Sequence, residues 1–239
     1  MSTALITGAN RGLGLEFVRR LSLMGWRVLA TCRSPDQAEA LRRLAIESRR
    51  AVEVHALDTG DRKSIGALSV AVGDQAIDLL VCNAGVSQLK QALITGTAGQ
   101  RIQDADDALW FEVYRTNAIG PLRVAAAFAD RVVASERRLM AFISTRMSVA
   151  GQNNSGAYYM YRSSKAALNV IVKNLFIELA PRGVTCIALH PGWVRTDMGG
   201  RNADVSPEES VTGMLKVLLD AKLPKEAQFL DYRGETVPW

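Results

Sequence analysis

Cysteine is scarce in this chain: Cys32, Cys82 and Cys186 are the only three in 239 residues, and none stands in a CxxC pair. Thiols scattered through apolar runs read as reduced core residues, so no disulfide framework is expected and a cytoplasmic location is. Histidine is scarcer. His55 and His190 lie far apart in strand-like runs, which gives no metal site to expect. No apolar run approaches the roughly 20 residues of a membrane span. Strand-like TALIT starts at residue 3, so no signal peptide is expected ahead of it. Charge of one sign is never concentrated. The net charge of +5 is spread over pairs such as Arg19-Arg20, Arg42-Arg43, Arg49-Arg50 and Arg137-Arg138, on helix-like segments without interleaved aromatics. These read as solvated helix faces, with no nucleic acid and no membrane among the expected partners.

What is present is ordinary for a globular protein: 48% hydrophobic and 22% charged residues, with length enough for a sizeable core. Short apolar runs at 3–7, 27–32, 52–58, 78–84, 139–145, 184–190 and 228–232 alternate with amphipathic stretches at 13–24, 36–48, 61–75, 104–116, 119–136, 159–180 and 207–220. Several of the short runs are apolar on both faces, as strands buried in a parallel sheet must be. Strand and helix in alternation imply right-handed crossovers. The expectation is an α/β fold: a single-domain Rossmann-type doubly wound sheet, mostly or wholly parallel, of about seven strands with helices on both faces. No low-complexity linker divides residues 1–239. A cofactor-binding part at about 1–137 and a catalytic and substrate part at about 138–239 are expected within one domain. The loosest stretch, 87–103, follows the fourth strand, where such sheets bind ligands.

The first strand runs into the first helix through TGANRGLG, residues 7–14. Gly8, Gly12 and Gly14 allow a tight turn and a close approach of backbone to a pyrophosphate, which the helix amino terminus attracts. The candidate cradle is Gly8, Asn10, Arg11, Gly12, Leu13 and Gly14. Its spacing is G-x-x-x-G-x-G rather than the commoner G-x-G-x-x-G. At the end of the second strand, where an acidic residue would meet a free ribose 2′-hydroxyl, stand Cys32, Arg33 and Ser34. Arg33, together with Arg11, offers charge-assisted hydrogen bonds to a 2′-phosphate. NADP(H) is therefore favoured over NAD(H).

Tyr161 is the one tyrosine followed four residues later by a lysine, Lys165. Residues at i and i+4 share a helix face. A free phenol has a pKa near 10, too high for acid–base work at neutral pH; a neighbouring ammonium favours the phenolate. Together with the glycine loop, the pair points to proton exchange with a carbonyl or alcohol oxygen.

TGANRGLG, NAG at 83–85, Asn117 in RTNAIGPL, YRSSK at 161–165 and HPGWVRTDMGG at 190–200 occur in that order. Over essentially its full length the chain resembles a short-chain dehydrogenase/reductase, and HPGWVRTDMGG, YRSSK and the closing DYRGETVPW are similar to the C-factor and Sniffer-like carbonyl reductase branch. The resemblance implies hydride transfer between nicotinamide and a ketone, aldehyde or quinone, or the matching secondary alcohol. It places Asn83, Ala84 and Gly85 along the adenosine side, Asp58 at the adenine amino group, Asn117 on a water-mediated proton relay, and Lys165 on the ribose hydroxyls. Pro191, Gly192, Val194 and Thr196 would shape the nicotinamide pocket. A cofactor-binding signalling protein of the same fold is the alternative, though it would not need Tyr161, Lys165 and Asn117 all intact.

One position departs from the resemblance. The hydroxyl that would orient the substrate oxygen is a serine in the family. Here FISTRMSVAGQ offers Thr145 at the strand position, Ser148 at 13 residues before Tyr161, and Ser144. Thr145 ranks first, Ser148 second, Ser144 third. The helix at 159–180 is more apolar than one sheet contact demands, and a homodimer is expected. The short segment 197–206 implies an open substrate site.

Overall fold

The structure, a computed structural model, describes residues 1–87 and 106–239. Seven strands form one sheet: β1 (Thr3–Thr7), β2 (Arg27–Cys32), β3 (Val52–Ala56), β4 (Leu79–Cys82), β5 (Leu139–Ile143), β6 (Thr185–His190) and β7 (Gln228–Asp231). Their order is β3-β2-β1-β4-β5-β6-β7, and every pair is parallel. The helices are α1 (Gly12–Leu23), α2 (Glu39–Glu47), α3 (Arg62–Val72), α4 (Asp107–Tyr114), α5 (Gly120–Val133), α6 (Tyr159–Leu179) and α7 (Pro207–Asp220).

Successive strand residues point to opposite faces, and the core divides accordingly. Ala4, Ile6, Val28, Val81, Ala141, Ile143 and Leu189 pack with Phe17, Leu41, Val211 and Met214, beneath α1, α2 and α7. Leu5, Leu29, Leu80, Met140, Phe142 and Ala188 pack on the other face with Leu68, Phe128, Leu168 and Phe176, beneath α3, α5 and α6. Both faces of the central strands are buried, so β4 and β5 read as unbroken apolar runs, while edge strand β3 carries Glu53 and His55.

Strand order reverses between β1 and β4. That switch point opens a crevice at the carboxyl ends of the strands, and the segments leaving those ends carry the candidate residues. The expected strands at 52–58, 78–84 and 139–145 stop at Ala56, Cys82 and Ile143, because the chain leaves the ladder there to form those segments. The two expected helices at 104–116 and 119–136 join through one π turn, Arg115–Ile119. The expected helix from 36 begins instead as a 3-10 turn at Pro35–Gln37, with α2 after it. Of the expected loop at 87–103, residues 88–103 lie outside the described residues.

Helix starts are capped by side chains at α3 (Asp61 accepts from Lys63 N), α4 (Asp106 from Leu109 N) and α7 (Ser206 from Glu209 N). At α1 the N-cap is Arg11 and no side chain caps the first turn. Those N–H groups therefore remain available to an anion.

Candidate active site

The glycine loop is built by close approach. Gly8 has φ +68°, and a Cβ there would stand 2.8 Å from the Ala84 Cα. A Cβ on Gly14 would run into the Gly8 carbonyl oxygen and stand 2.6 Å from Asn83 Nδ2. Asn83 is the tie: its Nδ2 donates to Thr7 O at 2.9 Å and Gly8 O at 3.0 Å. Thr7 Oγ1 accepts from the amides of Asn83 and Ala84, each at 3.0 Å. The Nδ2 of Asn83, a residue expected on the adenosine side, thus shapes the loop. Asn10 and Arg33 are exposed, while Leu13, Ala84 and Gly85 are half-buried around the crevice. Asp58 is half-buried, and its Oδ1 accepts from Gly60 N at 2.8 Å. Arg11 does not stand free: its Nη1 lies 2.7 Å from Asp197 Oδ2. The uncapped helix start, the glycine cradle and the exposed arginines fit a dinucleotide with a 2′-phosphate.

Tyr161 and Lys165 lie on α6 and are both buried. The Lys165 ammonium donates to Ile143 O at the end of β5, at 2.7 Å. The π turn widens the helix around Asn117, a distortion common at functional sites. Asn117 is fully buried. Its Oδ1 accepts from Val86 N at 2.8 Å, and its Nδ2 donates to Val86 O at 2.9 Å and Ser164 Oγ at 3.1 Å. A Cβ on Gly85 would stand 3.3 Å from Asn117 Oδ1 and 3.6 Å from Lys165 Nζ. Asn117, Gly85 and Lys165 therefore share one spot.

Burial pushes the Tyr161 phenol up to about 12. Burial also pulls Lys165 down to about 8, opposed only by the Cys82 thiol nearby. The expected lowering of the phenol by Lys165 is not what this arrangement gives: desolvation dominates, and the ammonium faces the Ile143 carbonyl. At neutral pH the pair is a protonated phenol beside a protonated amine.

The three candidate hydroxyls differ in what they are bonded to. Ser144 Oγ donates to Asn169 Oδ1 at 2.6 Å. Asn169 Nδ2 donates to Ser148 Oγ at 2.8 Å, and Ser148 Oγ donates to Thr145 O at 2.6 Å. Thr145 Oγ1 accepts from Met147 N at 3.2 Å, capping a 3-10 turn. Arg162, beside Tyr161, holds the same segment through Met147 O at 3.1 Å and Ser155 Oγ at 2.9 Å.

Gly192 has φ +84° and packs against Tyr232, which a Cβ would approach to 3.1 Å. After half-buried Pro191, Val194 bridges Val205, and Arg195 Nη1 donates to Ala203 O at 2.9 Å and Asp204 O at 2.8 Å. The segment closes on itself and brings the Thr196 methyl to 3.4 Å from where a Gly12 Cβ would be, so the glycine loop and the segment after β6 lie side by side. His55 and His190 sit on β3 and β6, and among the described residues no three acidic, histidine or cysteine side chains form a metal-binding group. No helix of the described residues is long and apolar enough to cross a membrane.

Three functional-looking residues escape a reading of motifs. Asn169 left one signal, a polar residue a turn beyond Lys165 on a largely apolar helix. Arg162 and Asp197 left none beyond their place inside motifs, since each acts through a partner distant in sequence.

A doubly wound sheet with a glycine cradle and a buried tyrosine–lysine pair at its switch point defines a class, the nicotinamide-dependent oxidoreductases of short-chain type. Residues 2–206 match the short chain dehydrogenase family. The chain belongs to that family and is an NAD(P)(H)-dependent oxidoreductase of its C-factor and Sniffer-like branch. It is 40% identical over 163 residues to C-signal of Myxococcus xanthus, covering 68% of this chain and 93% of that protein. The NADPH-bound carbonyl reductase from chicken fatty liver superposes with a TM-score of 0.90 at 33% identity, over 100% of this chain and 99% of that one. Carbonyl reductase Sniffer of D. melanogaster gives 0.89 at 27% identity over the whole of both chains.

Proposed function

We propose that the chain is an NADP(H)-dependent carbonyl reductase acting on a ketone, aldehyde or quinone, and reversibly on the matching alcohol. The observation that carries the reading is the buried meeting of Lys165, Asn117 and Gly85 one helical turn from Tyr161, at the switch point that also holds the glycine loop. When bound, the reduced nicotinamide supplies the hydride that the carbonyl carbon takes up. The phenol of Tyr161 gives its proton to the carbonyl oxygen, and its raised pKa keeps that proton in place at neutral pH. Lys165, charged below about 8, stabilises the phenolate left behind and holds the ribose hydroxyls. Asn117 supports the route by which a proton returns to Tyr161. Thr145 donates to the substrate oxygen. Gly8, Asn10, Arg11, Gly12, Leu13 and Gly14 cradle the pyrophosphate, Asp58 and residues 83–85 line the adenosine end, and residues 191–196 face the nicotinamide.

Preference for the 2′-phosphate is assigned to Arg33 and Arg11, supported by the absence of an acidic residue at the first three positions after β2, Arg33, Ser34 and Pro35, with Asp36 already inside the following 3-10 turn. The reading takes residues 1–239 as one domain, cytoplasmic and homodimeric. The dimer is supported by exposed Phe111, Leu122, Val170 and Ile177 on α4, α5 and α6.

A second reading comes from the relative named C-signal: a cofactor-binding signalling protein with little turnover. One experiment separates the two. The purified protein is titrated with NADPH and NADH by cofactor fluorescence and then assayed on a carbonyl panel. Tighter NADPH binding, weakened by Arg33→Ala, with turnover lost in Tyr161→Phe, supports the reductase. Binding without turnover on any carbonyl supports the second reading, and no binding of either cofactor sinks both.

A further inference from the structure

Helix α6 holds the end of β5 and the turn that follows it: Arg162 takes Met147 O, Lys165 takes Ile143 O, and Asn169 takes the hydroxyls of Ser144 and Ser148. Arg162 and Lys165 reach backbone. Asn169, nearly fully buried, reaches side chains that themselves have the chemistry to meet a substrate oxygen. A hydroxyl has one proton to donate. That of Ser144 goes to Asn169 Oδ1, and that of Ser148 goes to Thr145 O, in an orientation fixed by the Asn169 Nδ2–H it accepts. Thr145 Oγ1 accepts from Met147 N, and among the described residues no acceptor takes its own proton. Three hydroxyls stand within five residues, and one keeps a proton to give.

We propose that Asn169 is a positioning residue that selects the substrate-orienting hydroxyl. By engaging Ser144 and Ser148 it removes both from competition, and through Ser148 it holds the Thr145 carbonyl, so that the threonine is the donor left to the substrate oxygen. The inference rests on the reductase reading and deepens it. Asn169 never touches the reacting atoms; it acts through Ser148 and Thr145.

The test combines kinetics with hydrogen exchange. Asn169→Ala is expected to lower kcat about tenfold or more, as small misplacements of reacting groups do, while NADPH affinity by fluorescence titration stays as in the parent. In a Thr145→Ala background the same change is expected to cost nothing further, because its effect passes through Thr145. Amides 145–149 are expected to exchange faster in Asn169→Ala with the remainder of the sheet unaltered. Should Asn169→Ala fold poorly, Ser148→Ala cuts the same link and is read in the same way. Full kcat in the folded variant, or a loss that multiplies with that of Thr145→Ala, overturns the proposal. If the parent protein turns over no carbonyl, the reductase reading is what falls. Exchange at 145–149 then tests the link itself: faster exchange upholds that Asn169 holds the Thr145 segment while its role toward a substrate falls with the reductase reading, and unchanged exchange refutes the link as well.

Discussion

Arg11 Nη1 and Asp197 Oδ2 stand 2.7 Å apart across the mouth of the crevice, joining the glycine loop to the segment after β6. Both side chains are well exposed, 61% and 66%. An ion pair in water of this kind is worth about 0.2–1 kcal/mol and weakens with salt. The pair therefore competes weakly with any anion that Arg11 would otherwise meet. Asp197→Ala is expected to tighten NADPH binding about two- to fivefold at low ionic strength, with NADH little affected. Fluorescence titrations at two salt concentrations check this, and equal tightening for both cofactors would place Arg11 away from the 2′-phosphate.

Lys165 makes stability depend on pH. An unfolded lysine titrates near 10.4 and the buried one at about 8, so between those values the unfolded chain binds more protons and stability rises with pH. Tyr161 acts oppositely. Its proton is held up to about 12 when folded against about 10 unfolded, so its contribution is lost as pH climbs between them. Lys165→Met is expected to be about 1–3 kcal/mol more stable at pH 7, after the lost bond to Ile143 O is set against the relieved burial, and to lack the rise above pH 8. Urea unfolding at pH 7 and 9.5 reads both, and reductase turnover in the parent should fall above about pH 8 as Lys165 discharges.

Gly14→Ala places a methyl against the Gly8 carbonyl and Asn83 Nδ2, two groups already bonded to each other. Neither can yield without breaking the loop. A loss of about 3 kcal/mol, with cofactor affinity abolished, is expected by melting and titration. Gly66→Ala is the contrast: it lies inside α3, where a Cβ meets nothing within 4 Å. That change should stabilise the fold by about 0.5–1 kcal/mol and leave binding untouched.

Tyr161→Phe is expected to lower kcat by about 10²–10⁴, the usual worth of a positioned acid, with NADPH affinity retained. Thr145→Ser should keep most of the activity and Thr145→Val little, since serine retains the hydroxyl and valine only the methyl. Steady-state kinetics on one carbonyl substrate compare the three.

Alternating apolar runs make the sheet legible in sequence: 3–7 and 27–32 match β1 and β2 residue for residue, and α7 is Pro207–Asp220 as its Ser206 cap and Pro207 start imply. The glycine loop is legible because close approach and positive φ demand glycine. Partnership is much less so. Asn83 looks like a cofactor contact in the string of letters, yet its amide serves two backbone carbonyls. Asn117 gives no hint that a π turn frames it. The sign of the Tyr161 shift depends on how deeply α6 packs, which spacing along a helix cannot report.

The dependence of Gly8 on Asn83 also sets a timetable. Their bond joins residues separated by 75 positions, and β1 lies against β4 rather than against a neighbour of its own half alone. Contacts this distant in sequence form late, because the intervening chain must first be ordered. A chain emerging during synthesis therefore carries its loop glycines well before it has the loop they shape. The proposed cradle arrives with the fourth strand, not with the motif that announces it.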